Sequence, residues 1–118
     1  MGISHSKEFI RVNLSYDELP RKYGRESVHH RALKKVAFEM LKELGDPNPQ
    51  YEYAYCDVYS EKFRIVIECG FTDIFKILEV FFQWHMADEV WALDYPNKDG
   101  FSELVKFKKR LSVAGDAW

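Results

Sequence analysis

Phe63-Arg64-Ile65-Val66-Ile67-Glu68-Cys69-Gly70 is the most strand-like run of the chain. β-Branched residues fill its centre, Ser60-Glu61-Lys62 precedes it as a turn, and Gly70 ends it. Glu68 is therefore an acid inside an apolar strand, which is costly unless something positive meets it. A second acid, Asp57, ends the Tyr55-Cys56-Asp57 stretch just before the turn. The turn length decides whether the two meet. A two-residue turn on Glu61 and Lys62 pairs Ser60 with Phe63, Tyr59 with Arg64 and Asp57 with Val66. Glu68 then shares a face with Asp57, diagonal to it at roughly 7–8 Å. A three-residue loop without a bulge would put them on opposite faces. On one face, the two carboxylates can share a divalent cation. The plainer alternative is a pair of strand-end acids facing water.

Outward from this hairpin the elements follow one another closely. Val28, Ala32, Leu33, Val36, Ala37, Met40, Leu41 and Leu44 recur every three or four residues, so Ser27 to Leu44 reads as a helix capped by Ser27 and stopped by Gly45 and Pro47. Arg31, Lys34, Lys35, Glu39 and Lys42 fall mainly on its outer side. Asp46-Pro-Asn-Pro is a turn. Strand-like runs cover 51–53 and 55–59, which can be one continuous strand. After Gly70, Thr72 caps a second helix that buries Ile74, Phe75, Ile77, Leu78, Phe81 and Phe82. Glu89 to Tyr95 is a strand, Pro96 to Gly100 a turn, and Phe101 to Leu111 a last helix. Phe9 to Leu14 is a short edge strand. The order is that of an α/β domain with a mixed central sheet.

The 118 residues suffice for a single domain, and 47% of them are hydrophobic. The reading divides them into an N-terminal extension (1–23), a core (24–95) and a C-terminal helix and tail (96–118). A net charge of −2 confines any nucleic-acid contact to a local basic patch. Cys56 and Cys69 sit in strand-like runs and suit buried thiols in a reducing compartment. No Cys/His cluster has zinc spacing, and no phosphate-loop, dinucleotide or serine-nucleophile motif occurs. No apolar run approaches membrane-spanning length. The expectation is a soluble cytoplasmic protein that does not enter a membrane.

Gly24-Arg25-Glu26-Ser27-Val28-His29-His30-Arg31, then Asp57, then Ile65-Val66-Ile67-Glu68-Cys69-Gly70, resembles the PD-(D/E)XK nuclease superfamily. The resemblance spans roughly residues 24–95 and rests more on the order of elements than on any one residue. It implies an αβββαβ, restriction-endonuclease-like core. It also implies that Glu26, Asp57 and Glu68 hold Mg²⁺ or Mn²⁺ for hydrolysis of nucleic-acid phosphodiesters, with DNA favoured and a homodimer permitted. The family's motif lysine falls at Gly70 here. Lys76, one turn into the next helix, is the candidate replacement, because its stem can run along apolar surface to the site. Metal and lysine serve one end: hard oxygen ligands hold the cation, which acidifies a bound water, and both positive groups meet the charge that develops on phosphate.

Arg25, His30, Arg31 and Lys34 are the candidate nucleic-acid contacts, and Arg21, Lys22 and the 106–110 lysines form further basic clusters. Tyr51, Tyr53, Tyr55, Tyr59, Trp84 and Trp91 can stack on bases or simply pack. A second class of function is compatible with Gly70: a catalytically inactive module of the same fold, binding nucleic acid or a protein, in which Asp57 or Glu68 pairs with a basic side chain instead of metal. A third is an unrelated α/β fold with ordinary strand acids.

Overall fold

A computed structural model describes residues 2–12 and 27–110. Six strands and two helices alternate as β1 (Gly2–Arg11), α1 (Val28–Leu44), β2 (Gln50–Tyr51), β3 (Val58–Ser60), β4 (Ile65–Cys69), α2 (Ile74–Leu78), β5 (Glu89–Leu93) and β6 (Phe101–Arg110). The sheet order is β1-β6-β5-β4-β3-β2. Only β4 and β5 run parallel, joined by the α2 crossover. Every other neighbouring pair is antiparallel, so the single domain is α/β with a mixed sheet.

Period-two alternation sends the strands' side chains to two cores. Val58, Ile65, Ile67, Cys69, Trp91, Leu93 and Leu104 meet Leu33, Ala37 and Leu41 of α1. Tyr59, Val66 and Val90 meet Ile77, Val80 and Phe81 of the α2 segment on the other face. α1 forms as its stripe of apolar residues requires: the Ser27 side chain accepts a hydrogen bond from His30 N–H, and Gly45 ends the helix at φ 124°. Lys34 departs from the expected outer side. It is only 5% exposed, because its Nζ reaches Glu52 Oε1 at 2.6 Å. α2 is capped by Asp73, one residue later than Thr72, and passes into a π turn over Glu79–Gln83. Of its expected core residues only Ile77 and Phe81 are buried, joined by Val80. Ile74, Phe75 and Leu78 are exposed.

The expected C-terminal helix is instead strand β6. Ser102 and Leu104 are buried on the α1 side, while Val105 and Phe107 turn to the α2 side, where Phe107 packs on that core. Apolar and charged residues occur on both faces, so the alternation is masked in the sequence. The strand is fixed by pairing with β1 along ten positions and with β5 along five. The edge strand expected at Phe9 to Leu14 begins earlier, at Gly2, and its described part ends at Arg11.

The β3–β4 hairpin also differs in register. Ser60 pairs with Ile65, Tyr59 with Val66 and Val58 with Ile67, around a four-residue turn closed by Arg64 at φ 54°. The turn remains even in length, but continuing the ladder by one pair sets Asp57 directly opposite Glu68, not diagonal to it. Asp57 itself lies just outside β3. The stretch before it is a short 3₁₀ turn, Tyr53–Tyr55, in place of strand. Glu52, Ala54 and Tyr55 there hold left-handed backbone angles, each costing roughly 1–2 kcal/mol for a non-glycine residue.

Candidate functional site

The site occupies the end of the hairpin away from its turn, at the carboxyl end of β4. Glu68 points to the α2 face, as parity with Val66 requires, and is 4% exposed. α2 follows β4 after four residues, which brings Lys76 back over that strand. Lys76 Nζ lies 2.8 Å from Glu68 Oε1 and donates to the Tyr55 carbonyl at 2.5 Å. The strained 3₁₀ turn thus presents the carbonyl that holds the lysine.

Asp57 is tied to β4 by two hydrogen bonds. Its Oδ2 accepts from Cys69 N–H at 2.8 Å, and its own N–H donates to Glu68 Oε2 at 3.3 Å. His30 Nε2, from the first turn of α1, is 3.3 Å from the same Oδ2. The two carboxylates, Lys76 and His30 thus gather where both helical layers reach one sheet end.

Glu68 Oε1 is buried without an aligned hydrogen bond, so its contact with Lys76 is an ion pair of poor angle. Burial pushes the Glu68 carboxyl up to about 7, the lysine opposes the rise, and the neighbouring Asp57 adds to it. Burial alone would lower the Lys76 ammonium, but the Glu68 carboxylate outweighs it and raises that group. The Glu68 side chain is buried, whereas the Lys76 side chain is partly open to water. The Cys56 thiol is pushed up to about 12, first by burial and then by Glu68, so it is a neutral neighbour and not a nucleophile. Both cysteines are free and buried.

Gly70 stands where a side chain would be crowded. Its φ is +82°, and a Cβ there would lie 2.9 Å from the Tyr95 hydroxyl oxygen and 3.0 Å from two ring carbons. The backbone angle and the Tyr95 ring both disfavour a side chain. The ammonium beside Glu68 is that of Lys76 on α2.

Of the candidate residues, Asp57, Glu68, Lys76 and His30 meet. Lys34 is drawn to Glu52, while Arg31 sits half-buried on α1. Glu26 and Arg25, like Arg21 and Lys22, lie outside the described residues. Among the described residues, no group of three His, Cys, Asp or Glu is arranged to hold a metal ion. The opposed carboxylates offer the oxygen donors that a hard divalent cation takes, while Glu68 Oε1 already faces the Lys76 ammonium at 2.8 Å. Sequence reasoning missed the Tyr95 ring against Gly70 and the Lys34–Glu52 link. The glycine at the strand end was the available signal for a close approach. Trp91 and Tyr59 are packing residues, buried under Lys106 and against Tyr53 respectively.

No family model, curated protein or solved structure matches the chain. Among the described residues no helix is long and apolar enough to cross a membrane.

Proposed function

We propose that the chain is a metal-dependent phosphodiesterase of the PD-(D/E)XK kind, acting on nucleic acid and most readily on DNA. The observation that carries the reading is the convergence of Asp57, Glu68 and Lys76 at one strand end. The run α1, β2, β3, β4, α2, β5, with an antiparallel β2–β3–β4 meander and a parallel β4–β5 crossover, has the order of the αβββαβ core and supports the same reading. Asp57 and Glu68 would hold Mg²⁺ or Mn²⁺, with Glu26 a third ligand by resemblance. Bound there, the cation supplies an acidified water and neutralises phosphate charge. Lys76 directs an ammonium, held by Tyr55 O and Glu68, at the charge that grows on the phosphate oxygens. His30 orients Asp57 through Oδ2. Glu68→Ala should abolish Mg²⁺-dependent nicking of supercoiled DNA. Undiminished nicking by that variant would defeat the reading.

One observation favours a second reading. Glu68 already has a cationic partner at 2.8 Å, and no third metal ligand joins it among the described residues. A non-catalytic binding module would keep that ion pair in place of metal. Thermal melting with added Mg²⁺ or Mn²⁺ separates the two, because an ion that binds only the folded chain raises its melting temperature by mass action.

A further inference from the structure

A groove of about 250 Å³ opens beside the acid site on the α2 face of the sheet. Ile77, Ala92, Val105 and Phe107 give it an apolar floor, and Phe71, 93% exposed, stands at its rim. Its position relative to Glu68 follows from strand register. Glu68 pairs with Ala92 and Ala92 with Val105, so the three side chains form one row across β4, β5 and β6. Adjacent strands are spaced about 4.8 Å apart, which sets the groove floor roughly 5 and 10 Å from Glu68. One nucleotide, with its phosphate at the acid site, covers that span.

The polar groups are few and specific. Thr72 Oγ1 is buried with no hydrogen-bond partner and lines the groove. Asp94 follows Ala92 on the same face and puts a carboxylate at its end; Oδ1 accepts from Tyr95 N–H at 2.7 Å, within the capacity of a group with about four acceptor sites. Glu103, also at that end, is ion-paired with Lys7 at 3.3 Å.

We infer that this groove is a nucleobase pocket serving the adjacent acid site, and that it prefers guanine. An apolar floor with aromatic edges takes the flat face of a base. A carboxylate at the end accepts hydrogen bonds, and guanine presents two adjacent donors, N1–H and the N2 amino group, that suit it in bidentate fashion. Thymine offers one donor beside two carbonyl oxygens, which the carboxylate repels. The assignment rests on the phosphodiesterase reading for the placement of the phosphate, but the pocket's own chemistry can be measured without cleavage.

Calorimetric titration with dGMP, dAMP, dCMP and dTMP, in the presence of Mg²⁺, is the test. dGMP should bind tightest. Asp94→Asn, at an exposed position, should weaken dGMP about tenfold and erase the ranking, and Val105→Trp should block all four. Deoxyguanosine should bind more weakly than dGMP, and Lys76→Met should bring dGMP down to its level. Equal binding of the four nucleotides, no binding, or an unchanged ranking in Asp94→Asn would each overturn the pocket. Intact DNA in Mg²⁺ alongside selective dGMP binding would overturn the phosphodiesterase reading and leave the pocket standing.

Discussion

Two buried acids sit at opposite ends of the same hairpin, and they are held in opposite ways. Asp46, at the turn end, is 4% exposed, and the chain's own donors serve it: Ser60 Oγ at 2.6 Å and Asn48 N–H at 2.9 Å. Ser60 in turn accepts from Phe63 N–H, so the group ties the helix exit to the hairpin turn. Glu68, at the other end, is equally buried, yet one of its oxygens has only an ion pair of poor angle. A buried carboxylate with well-aligned donors fixes a fold. One left short of them retains affinity for a proton or a cation.

The largest effect is expected on chemistry: Lys76→Met keeps the apolar stem and removes the charge, and should lower DNA nicking by about 10²–10³-fold. Asp46→Ala should leave the intrinsic rate per folded molecule unchanged in the same assay.

Next comes a pH dependence carried by Glu68. Its carboxyl rises from 4.5 to about 7 on folding, so between those values the folded chain holds a proton that the unfolded chain has released. Stability should therefore fall as pH rises across that window, by about 3 kcal/mol in all, and the penalty should be complete above it. Urea unfolding at a series of pH values reads the slope. Glu68→Gln should flatten it, and an unchanged slope in that variant would show that another group is responsible.

Asp46→Ala should cost about 2 kcal/mol in the same urea experiments, since it removes two hydrogen bonds and leaves Ser60 short of a partner in the interior. Gly70→Ala should cost about 1–2 kcal/mol, because alanine must adopt a left-handed φ and press on Tyr95. Gly70→Lys should not restore nicking to a Lys76→Met protein. The smallest effect is expected at His30: His30→Ala loses a half-exposed contact to Asp57 and should change stability by under about 1 kcal/mol.

Much of the architecture was legible in local chemistry. Helix α1 could be read from its apolar spacing, Ser27 and Gly45, and strand β4 from its β-branched run, because one residue pattern fits one structure there. β6 could not, because Lys and Glu favour helix locally while the pairing that makes it a strand comes from β1 and β5. Asp57 and Glu68 were recognisable as a pair from turn parity, but not their direct opposition, which depends on a four-residue turn and a left-handed Arg64. Lys76 was readable as a reaching stem. Its docking on the Tyr55 carbonyl was not, because three left-handed residues create that acceptor and only tertiary contacts sustain such angles.

The Lys76 charge arrives on a helix that is anchored mainly by Ile77, Val80 and Phe81. The lifetime of the assembled site is then the dwell time of that helix on the sheet. Any local opening of that helix would separate Lys76 from Glu68. Amide exchange at Ile77 and Phe81 would thus time the pairing of Lys76 with Glu68 directly.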